Sequence, residues 1–199
     1  MDTKRRPTWD EIHMIDAIRV ATRSSCLIRP VGASLVRDNR VIASGYNGAP
    51  PGIVSCLDTG ECFYQRVAFE DSKKGLGEYE TLKEMRKPLC IAVHAEVNAL
   101  SQCAKYGPSS VGATLYITNL PCPMCTRNEI LAKGVRAVKV WKGYLANPLL
   151  TLDEKTATER LLQESGVALL YVDLSKERMQ EIFSQMLSVG DRTDYVFEP

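Results

Sequence analysis

Two stretches, HAE at residues 94–96 and PCPMC at residues 121–125, decide the fold and the chemistry of this 199-residue chain. One imidazole and two thiolates can fill three corners of a zinc tetrahedron and leave the fourth corner open for water. Cys122 and Cys125 are about one helical turn apart, so both sulfurs can face one point. We therefore expect His94, Cys122 and Cys125 to bind zinc, with the carboxylate of Glu96 beside them.

The alternative to a catalytic zinc centre is a zinc site that only holds the fold. Such sites usually close all four positions with Cys or His, and no fourth ligand lies near these three residues in the sequence. The pattern H-x-E…P-C-x-x-C is instead the signature of zinc deaminases that act on nucleobases, in which the glutamate moves protons and does not bind the metal. We therefore expect Glu96 to be the general acid and base while zinc-activated hydroxide attacks C4 of a cytosine ring.

Composition narrows the functional class. Lysine and arginine total 25 and aspartate and glutamate total 24, so the chain lacks the basic excess that duplex nucleic acids attract. No apolar run approaches the length of a membrane span, and the polar residues 1–6 are not typical of a secretory signal. Seven cysteines, an odd number, argue against a complete disulfide framework. We expect a cytoplasmic protein that binds neither nucleic acid nor membrane.

The order of predicted elements indicates the architecture. Capping boxes at residues 8–11 and 151–154 begin two helices, and Ser175 caps a last one. Helices are predicted over residues 9–25, 78–87, 94–105, 122–133, 151–166 and from 175 onward. Strands are predicted over residues 31–37, 41–46, 113–118, 135–141 and 167–172, with a turn at 38–39 and loops at 47–60 and 72–77. A helix, a hairpin and then alternating helices and strands predict an α/β layer fold with a mixed five-stranded sheet, antiparallel at first and parallel afterwards.

Apolar periodicity predicts which helix faces are buried. In the helix over residues 94–105, we expect Val97, Leu100 and Ala104 to share the buried face. The last helix carries a stripe that is typical of a core or a subunit contact, formed by Met179, Ile182, Phe183, Met186 and Leu187. His13, inside the first helix, is expected to be a packed or surface histidine.

Five matching stretches place the chain near a known family. They are VGA at 31–33, GYNGAP at 45–50 with Gly52, HAEVNAL at 94–100, GATLY at 112–116 and PCPMC at 121–125. In these stretches the chain resembles the deoxycytidylate (dCMP) deaminase family of the cytidine deaminase superfamily, over about residues 10–172. The resemblance implies a three-layer α-β-α cytidine deaminase-like fold. It also implies a single deaminase domain over 1–199, with a core at 10–172, a variable segment at 63–90 and a C-terminal helix and tail at 175–199.

The resemblance also implies an activity and its participants. Members convert dCMP to dUMP and ammonia with one zinc ion per chain, supplying the dTMP precursor. Asn47 matches the asparagine that bonds the sugar 3′-hydroxyl, and Ala95 matches a residue whose backbone reads the pyrimidine. Members form homo-oligomers, often hexamers, which dCTP and dTTP regulate together with Mg²⁺. Tyr46 and Gly48 belong to the loop that takes part in this response.

Two parts of the binding chemistry stay open in the sequence. Where the family commonly has His-Cys, this chain has Ser55-Cys56, so a second zinc would depend on Cys56, Cys62 and Cys90. The 5′-phosphate of dCMP requires cationic side chains, since guanidinium groups suit phosphate. The candidates are Arg29, Arg23, Arg66, Lys73 and Lys74.

Other functions compete with dCMP deamination. One is deamination of another cytosine nucleoside or nucleotide, or of adenosine in tRNA, although the tRNA enzymes normally need a basic surface. Another is a non-catalytic, zinc-bearing module that senses nucleotides. An intact Glu96 and an open metal corner favour catalysis over the module.

Overall fold

The computed structural model of the chain describes residues 6–144 and 150–188. The helices are α1 (Trp9–Ala21), α2 (Cys56–Thr59), α3 (Phe63–Lys73), α4 (Tyr79–Arg86), α5 (Ala95–Tyr106), α6 (Pro123–Cys125), α7 (Leu152–Glu164) and α8 (Lys176–Leu187). The strands are β1 (Gly32–Arg37), β2 (Arg40–Tyr46), β3 (Thr114–Ile117), β4 (Ala137–Trp141) and β5 (Ala168–Val172). The predicted tail beyond residue 188 lies outside the described residues. Within the described part of the chain, no helix is both long and apolar enough to cross a bilayer.

The five strands form one mixed sheet in the order β2-β1-β3-β4-β5. β1 pairs antiparallel with both β2 and β3, while the pairs β3–β4 and β4–β5 are parallel. This confirms the predicted antiparallel start and parallel continuation. The hairpin turn at Asp38 and Asn39 has φ values of 52° and 55°, as expected where two consecutive left-handed residues match the twist of the flanking strands.

Alternating side chains divide the core into two layers, one on each face of the sheet. Leu35 and Leu115 belong to the layer that α5 and α7 cover, which contains Ala99, Leu100 and Leu162. Their neighbours Val36 and Tyr116 belong to the layer that α1 and α8 cover, which contains Met14, Ala17 and Ile182. Helices therefore cover both faces, and the helix that begins after His94 lies on one of them.

Two glycines let helices approach the sheet closely. A Cβ atom on Gly45 would lie 2.4 Å from both the Ala95 carbonyl oxygen and the Ala99 backbone nitrogen of α5. A Cβ atom on Gly32 would lie 2.1 Å from the Ala17 carbonyl oxygen of α1. The GYNGAP stretch therefore has a steric role, because its first glycine fixes how near α5 lies to β2.

The structure corrects several element predictions. The first helix ends at Ala21, before the predicted residue 25, and the Thr22 hydroxyl donates to the Arg19 carbonyl at its end. The predicted loop at 47–60 contains α2, which Ser55 begins with a capping box to Asp58. Helix α3 was not predicted, because its N-cap, Cys62, makes no side-chain capping bond and gives no start signal in the sequence.

Buried faces also differ from the periodicity. On α5 the buried side chains include Ala99, Leu100 and Cys103, whereas Ala104 is exposed and Val97 half-buried. On α8, Ile182 is buried and Met179 packs against the core. The remainder of the predicted stripe is exposed, namely Phe183, Met186 and Leu187. The predicted helix over 122–133 begins as α6 and continues as a π-helix, Thr126–Leu131.

An ion pair joins α1 to α8 on the face away from α5. Arg178 donates from Nε to Glu11 Oε1 at 2.9 Å and from Nη2 to Oε2 at 3.3 Å. Glu11 also closes the predicted capping box by accepting from the Thr8 backbone N–H at 2.7 Å. The hydrogen bonds from Arg178 lower the pKa of Glu11 to about 2, although burial opposes this shift. The pair therefore ties the C-terminal helix to the first helix.

We predict that Glu11→Gln lowers the free energy of unfolding by about 2 kcal/mol, the scale of a hydrogen bond to a charged group, because Arg178 loses its charged partner on α1 and keeps its pair with Glu181 at 2.7 Å. Glutamine retains an acceptor for the Thr8 N–H, so the substitution keeps the capping bond while it removes the charge and one of the two acceptors that face Arg178. The pKa of Glu11 is depressed on folding, so its stabilising contribution is complete above pH 4.5 and is lost as the pH falls toward 2.

Denaturant melts of wild type and Glu11→Gln at several pH values measure both effects. The matched control is Glu70→Gln, which removes an exposed pair with Arg66 and should change the free energy by less than about 1 kcal/mol. An equal loss of unfolding free energy in the two variants would contradict this role for Glu11. So would the same pH dependence of stability in Glu11→Gln as in wild type.

Candidate active site

Two helix starts bring three metal-ligating side chains together. His94 is the N-cap of α5 and Cys122 is the N-cap of α6, both in extended backbone conformation. His94 Nδ1 lies 3.7 Å from Cys122 Sγ and 3.3 Å from Cys125 Sγ. The ligand atoms of His94, Cys122 and Cys125 all lie within 4.8 Å of one another. The sequence prediction that these residues converge is therefore met by the geometry.

This donor set fits zinc. Ligand distances in a tetrahedral zinc site place a nitrogen and a sulfur ligand about 3.6 Å apart, close to the observed separations. In residues 6–144 and 150–188, no fourth His, Cys, Asp or Glu joins the group. Three protein ligands of this kind are the pattern of a catalytic zinc site, whereas a structural site uses four.

The three side chains share protons, which a bound cation would have to displace. A hydrogen bond from the Cys125 thiol, and then one from His94, lower the pKa of Cys122 although burial opposes them, which favours its thiolate form. The same hydrogen bond to Cys122, together with burial, raises the pKa of Cys125. The hydrogen bond to Cys122 raises the pKa of His94 to about 9. The site thus keeps positive charge beside its thiolate, and a bound cation would replace those protons.

Glu96 lies in the first turn of α5, two residues after His94, and is only 4% exposed. Burial raises its pKa to about 7, and the positive charge of His94 opposes that shift. A carboxyl group with a pKa near neutrality can both take up and release a proton. Its place among the buried residues also fits a group that transfers protons away from bulk water.

The loop after β2 holds the start of α5. Gly48 and Val93 form an isolated antiparallel bridge, in which the Gly48 N–H donates to the Val93 carbonyl at 3.1 Å and the Val93 N–H donates to the Gly48 carbonyl at 2.8 Å. The Asn98 side chain donates to the Tyr46 carbonyl at 2.7 Å. Tyr46 and Gly48, predicted as regulatory residues, therefore contact the segment that carries His94.

Asn47 is fixed by hydrogen bonds within the protein. Its Oδ1 accepts from the Val31 N–H at 2.7 Å and from the Ser24 hydroxyl at 2.6 Å, and its Nδ2 donates to the Arg29 carbonyl at 2.9 Å. An amide nitrogen carries two hydrogens, so one donor of Asn47 is left for a ligand. Both proposed roles of Asn47, loop residue and ligand contact, are thus compatible with one side chain.

Comparison with known proteins defines the family. Residues 7–142 match the model of a family described as the cytidine and deoxycytidylate deaminase zinc-binding region. The chain belongs to this family. The deoxycytidylate deaminase of Mycobacterium phage D29 is 39% identical over 133 residues, covering 67% of this chain and 94% of that protein. ComE operon protein 2 of Bacillus subtilis is 32% identical over 171 residues, covering 86% and 75%.

A solved structure confirms the predicted fold class. The crystal structure of dCMP deaminase from the cyanophage S-TIM5 in complex with dCMP and dUMP superposes with a TM-score of 0.59. It is 26% identical to this deaminase family member, covering 84% of this chain and 99% of that chain. The expected cytidine deaminase-like fold and the expected family are therefore both confirmed.

The cationic side chains considered as ligands of the 5′-phosphate differ in their surroundings in this family member. Arg66 pairs with Glu61 and Glu70, each at 3.4 Å. The Lys73 ammonium lies 4.3 Å from the centre of the Phe69 ring. Arg23 and Lys74 are exposed, whereas Arg29 is half-buried and its carbonyl accepts the bond from Asn47. Arg29 is therefore the candidate that is built into the loop beside the site.

The cysteines considered for a second zinc lie near one another. The pKa of Cys62 is raised by burial and then by the charges of Cys56, Cys90 and Cys26, so Cys26 joins the three predicted residues. Within the described residues, however, these thiols do not form a group whose ligand atoms all lie within 4.8 Å. The geometry thus gives a ready-made donor set at His94, Cys122 and Cys125 but not at this second cluster.

Two threonines that the sequence patterns did not indicate hold the ligand loop. The Thr158 hydroxyl of α7 donates to the Pro121 carbonyl at 3.0 Å, and the Thr126 hydroxyl donates to the Cys122 carbonyl at 3.0 Å. Both threonines are fully buried. No motif marks them, although a threonine that falls on the buried face of an amphipathic helix is a signal that could have found Thr158.

We predict that Cys122→Ala abolishes zinc binding, because two remaining ligands do not hold zinc tightly. The control is Cys103→Ala. This substitution removes a thiol that lies on α5, on the face packed into the core. Metal analysis of both purified variants after dialysis measures the outcome. Retention of zinc by Cys122→Ala, or its loss from Cys103→Ala, would contradict the assignment of the ligands.

Proposed function

We propose that this chain is a zinc-dependent hydrolase that converts dCMP and water to dUMP and ammonia. The observation that carries the proposal is the convergence of His94, Cys122 and Cys125 beside the buried Glu96, in a member of this deaminase family. The cyanophage relative whose structure contains dCMP and dUMP supports this substrate and product.

His94, Cys122 and Cys125 would hold the zinc ion, which supplies a water of lowered pKa when it is bound. Glu96 takes a proton from that water and places it on N3 of the cytosine ring, while the water oxygen adds to C4. Glu96 then takes the remaining proton of the hydroxyl added at C4 and delivers it to the exocyclic amine. The C4–N bond breaks as the C4 carbonyl forms, and the amine leaves as ammonia. The backbone of Ala95, at the first position of α5, reads the pyrimidine.

Arg29, which precedes β1, and Asn47, which follows β2, orient the nucleotide. The spare amide hydrogen of Asn47 donates to the sugar 3′-hydroxyl. Arg29 holds the 5′-phosphate, since its main chain is bonded to Asn47 and its guanidinium group can bond two phosphate oxygens. The substrate is thus gripped at its ring, its sugar and its phosphate.

The remaining properties follow the family resemblance as proposals. They are one zinc ion per chain, a homo-oligomer with a hexamer favoured, and a cytoplasmic location. They also include regulation by dCTP and dTTP with Mg²⁺, and a single deaminase domain over residues 1–199. Tyr46 and Gly48 would transmit the nucleotide signal, because they are bonded to the segment before and within α5.

We expect Glu96→Gln to lower kcat for dCMP by about 10²–10⁴-fold while zinc stays bound, because the amide cannot transfer the protons. Release of ammonia from dCMP, followed together with zinc content, measures this. The exposed Glu70→Gln serves as the control with unchanged activity. Absence of ammonia release from wild type would instead favour the non-catalytic nucleotide-sensing module.

Turnover of dCMP should be much faster than turnover of deoxycytidine, because the phosphate contact is missing from the nucleoside. Arg29→Ala should lower kcat/KM for dCMP by about 10–100-fold, the value of a charged hydrogen bond, and leave deoxycytidine unaffected. Arg23→Ala, an exposed arginine, is the control. Equal rates on both substrates in wild type would show that this site has no phosphate contact.

A further inference from the structure

The peptide groups on either side of Cys122 are both held by threonine hydroxyls. Cys122 lies between two prolines, Pro121 and Pro123, which have no backbone N–H to anchor the loop. The carbonyl of Pro121 and the nitrogen of Cys122 belong to one peptide plane. A hydrogen bond to the Pro121 carbonyl therefore fixes the plane from which the Cys122 side chain projects.

The donor to this carbonyl comes from a distant helix. Thr158 of α7 is 37 positions away in the chain, is fully buried and donates its hydroxyl to the Pro121 carbonyl at 3.0 Å. No backbone N–H within the described residues donates to that carbonyl. In a helix interior, a threonine hydroxyl commonly bonds a carbonyl of its own preceding turn. Thr156 does so, to Leu152 at 2.9 Å, but Thr158 does not.

Burying a hydroxyl group costs free energy unless a hydrogen bond compensates it. A buried hydroxyl and a buried carbonyl are each costly when unpaired and satisfy each other here. Leu162, one turn further along α7, is buried against the core, so an apolar residue at 158 would also fit that helix face. Threonine at this position instead supplies the hydroxyl that donates to the Pro121 carbonyl.

The second peptide plane of Cys122 is held differently. The Cys122 carbonyl accepts from the Thr126 backbone N–H at 2.9 Å as well as from the Thr126 hydroxyl at 3.0 Å. Loss of the Thr126 hydroxyl therefore leaves that carbonyl with a donor. Loss of the Thr158 hydroxyl removes the side-chain donor of the Pro121 carbonyl, so the two threonines differ in importance.

We propose that Thr158 is a positioning residue that aims the Cys122 sulfur at the metal, so that α7, which lies beyond the family-matched residues 7–142, is part of the zinc site. This inference rests on the proposed ligand set. Thr158 touches neither substrate nor metal and acts through the Pro121–Cys122 peptide group. Partners of this indirect kind are worth about 10–100-fold in metal affinity in other sites.

The test compares zinc affinity in wild type and four variants by competition with a chromogenic chelator. Thr158→Val, which keeps the shape and loses the hydroxyl, should bind zinc about 10-fold more weakly than wild type. Thr158→Ser, which keeps a hydroxyl, should restore most of the affinity. Thr126→Val should have a smaller effect, and the exposed Thr156→Val on the same helix should match wild type.

A spectroscopic signature separates positioning from general destabilisation. In the cobalt-substituted protein, the visible bands report the geometry of the thiolate ligands. They should shift in Thr158→Val and return in Thr158→Ser. Unchanged bands and zinc affinity in Thr158→Val, even with a lower melting temperature, would overturn the positioning role. Equal losses in Thr126→Val and Thr158→Val would also overturn it, whereas a wild type that binds no zinc would overturn the ligand set itself.

Discussion

Three ligand atoms from two distant chain segments must meet within a few ångströms, and the architecture around them meets that constraint. Neither His94 nor the two cysteines lie inside a long regular element; both segments reach the site at helix N-caps. At an N-cap the backbone is extended and the side chain projects ahead of the helix. The directions of His94 and Cys122 are therefore set by whatever holds the peptide groups before them, and not by helical geometry alone.

Each segment is held from a different layer of the fold. Before His94, the Gly48–Val93 bridge ties the chain to the loop after β2, and the absence of a side chain at Gly45 lets α5 lie against that strand. Before Cys122, the hydroxyl of Thr158 holds the chain to α7. A change in either support would move one ligand relative to the other, although neither support contains a metal-binding atom.

Much of the fold was predictable because its signals are local. The capping boxes at Thr8 and Thr151 begin helices where expected, and the order of strands and helices predicted the mixed sheet. Helix α3 escaped prediction because its N-cap, Cys62, makes no side-chain capping bond, so no local signal marks its start. The buried face of α5 was misjudged because the close approach at Gly45 favours the small Ala99, and such a contact depends on a strand 50 residues away in sequence.

The convergence of His94, Cys122 and Cys125 was equally predictable, since a metal-binding group requires particular residue types at particular spacings. Their supports were not, because a backbone carbonyl such as that of Pro121 leaves no mark in the sequence, and any buried hydroxyl of the right reach can bond it. The same reasoning explains Asn47. Its identity is visible in a motif, yet only the structure shows that its side-chain oxygen Oδ1 already accepts hydrogen bonds from Val31 and Ser24. Residues that perform chemistry are thus constrained by type, whereas residues that aim them are constrained by position, and position is a property of the folded chain.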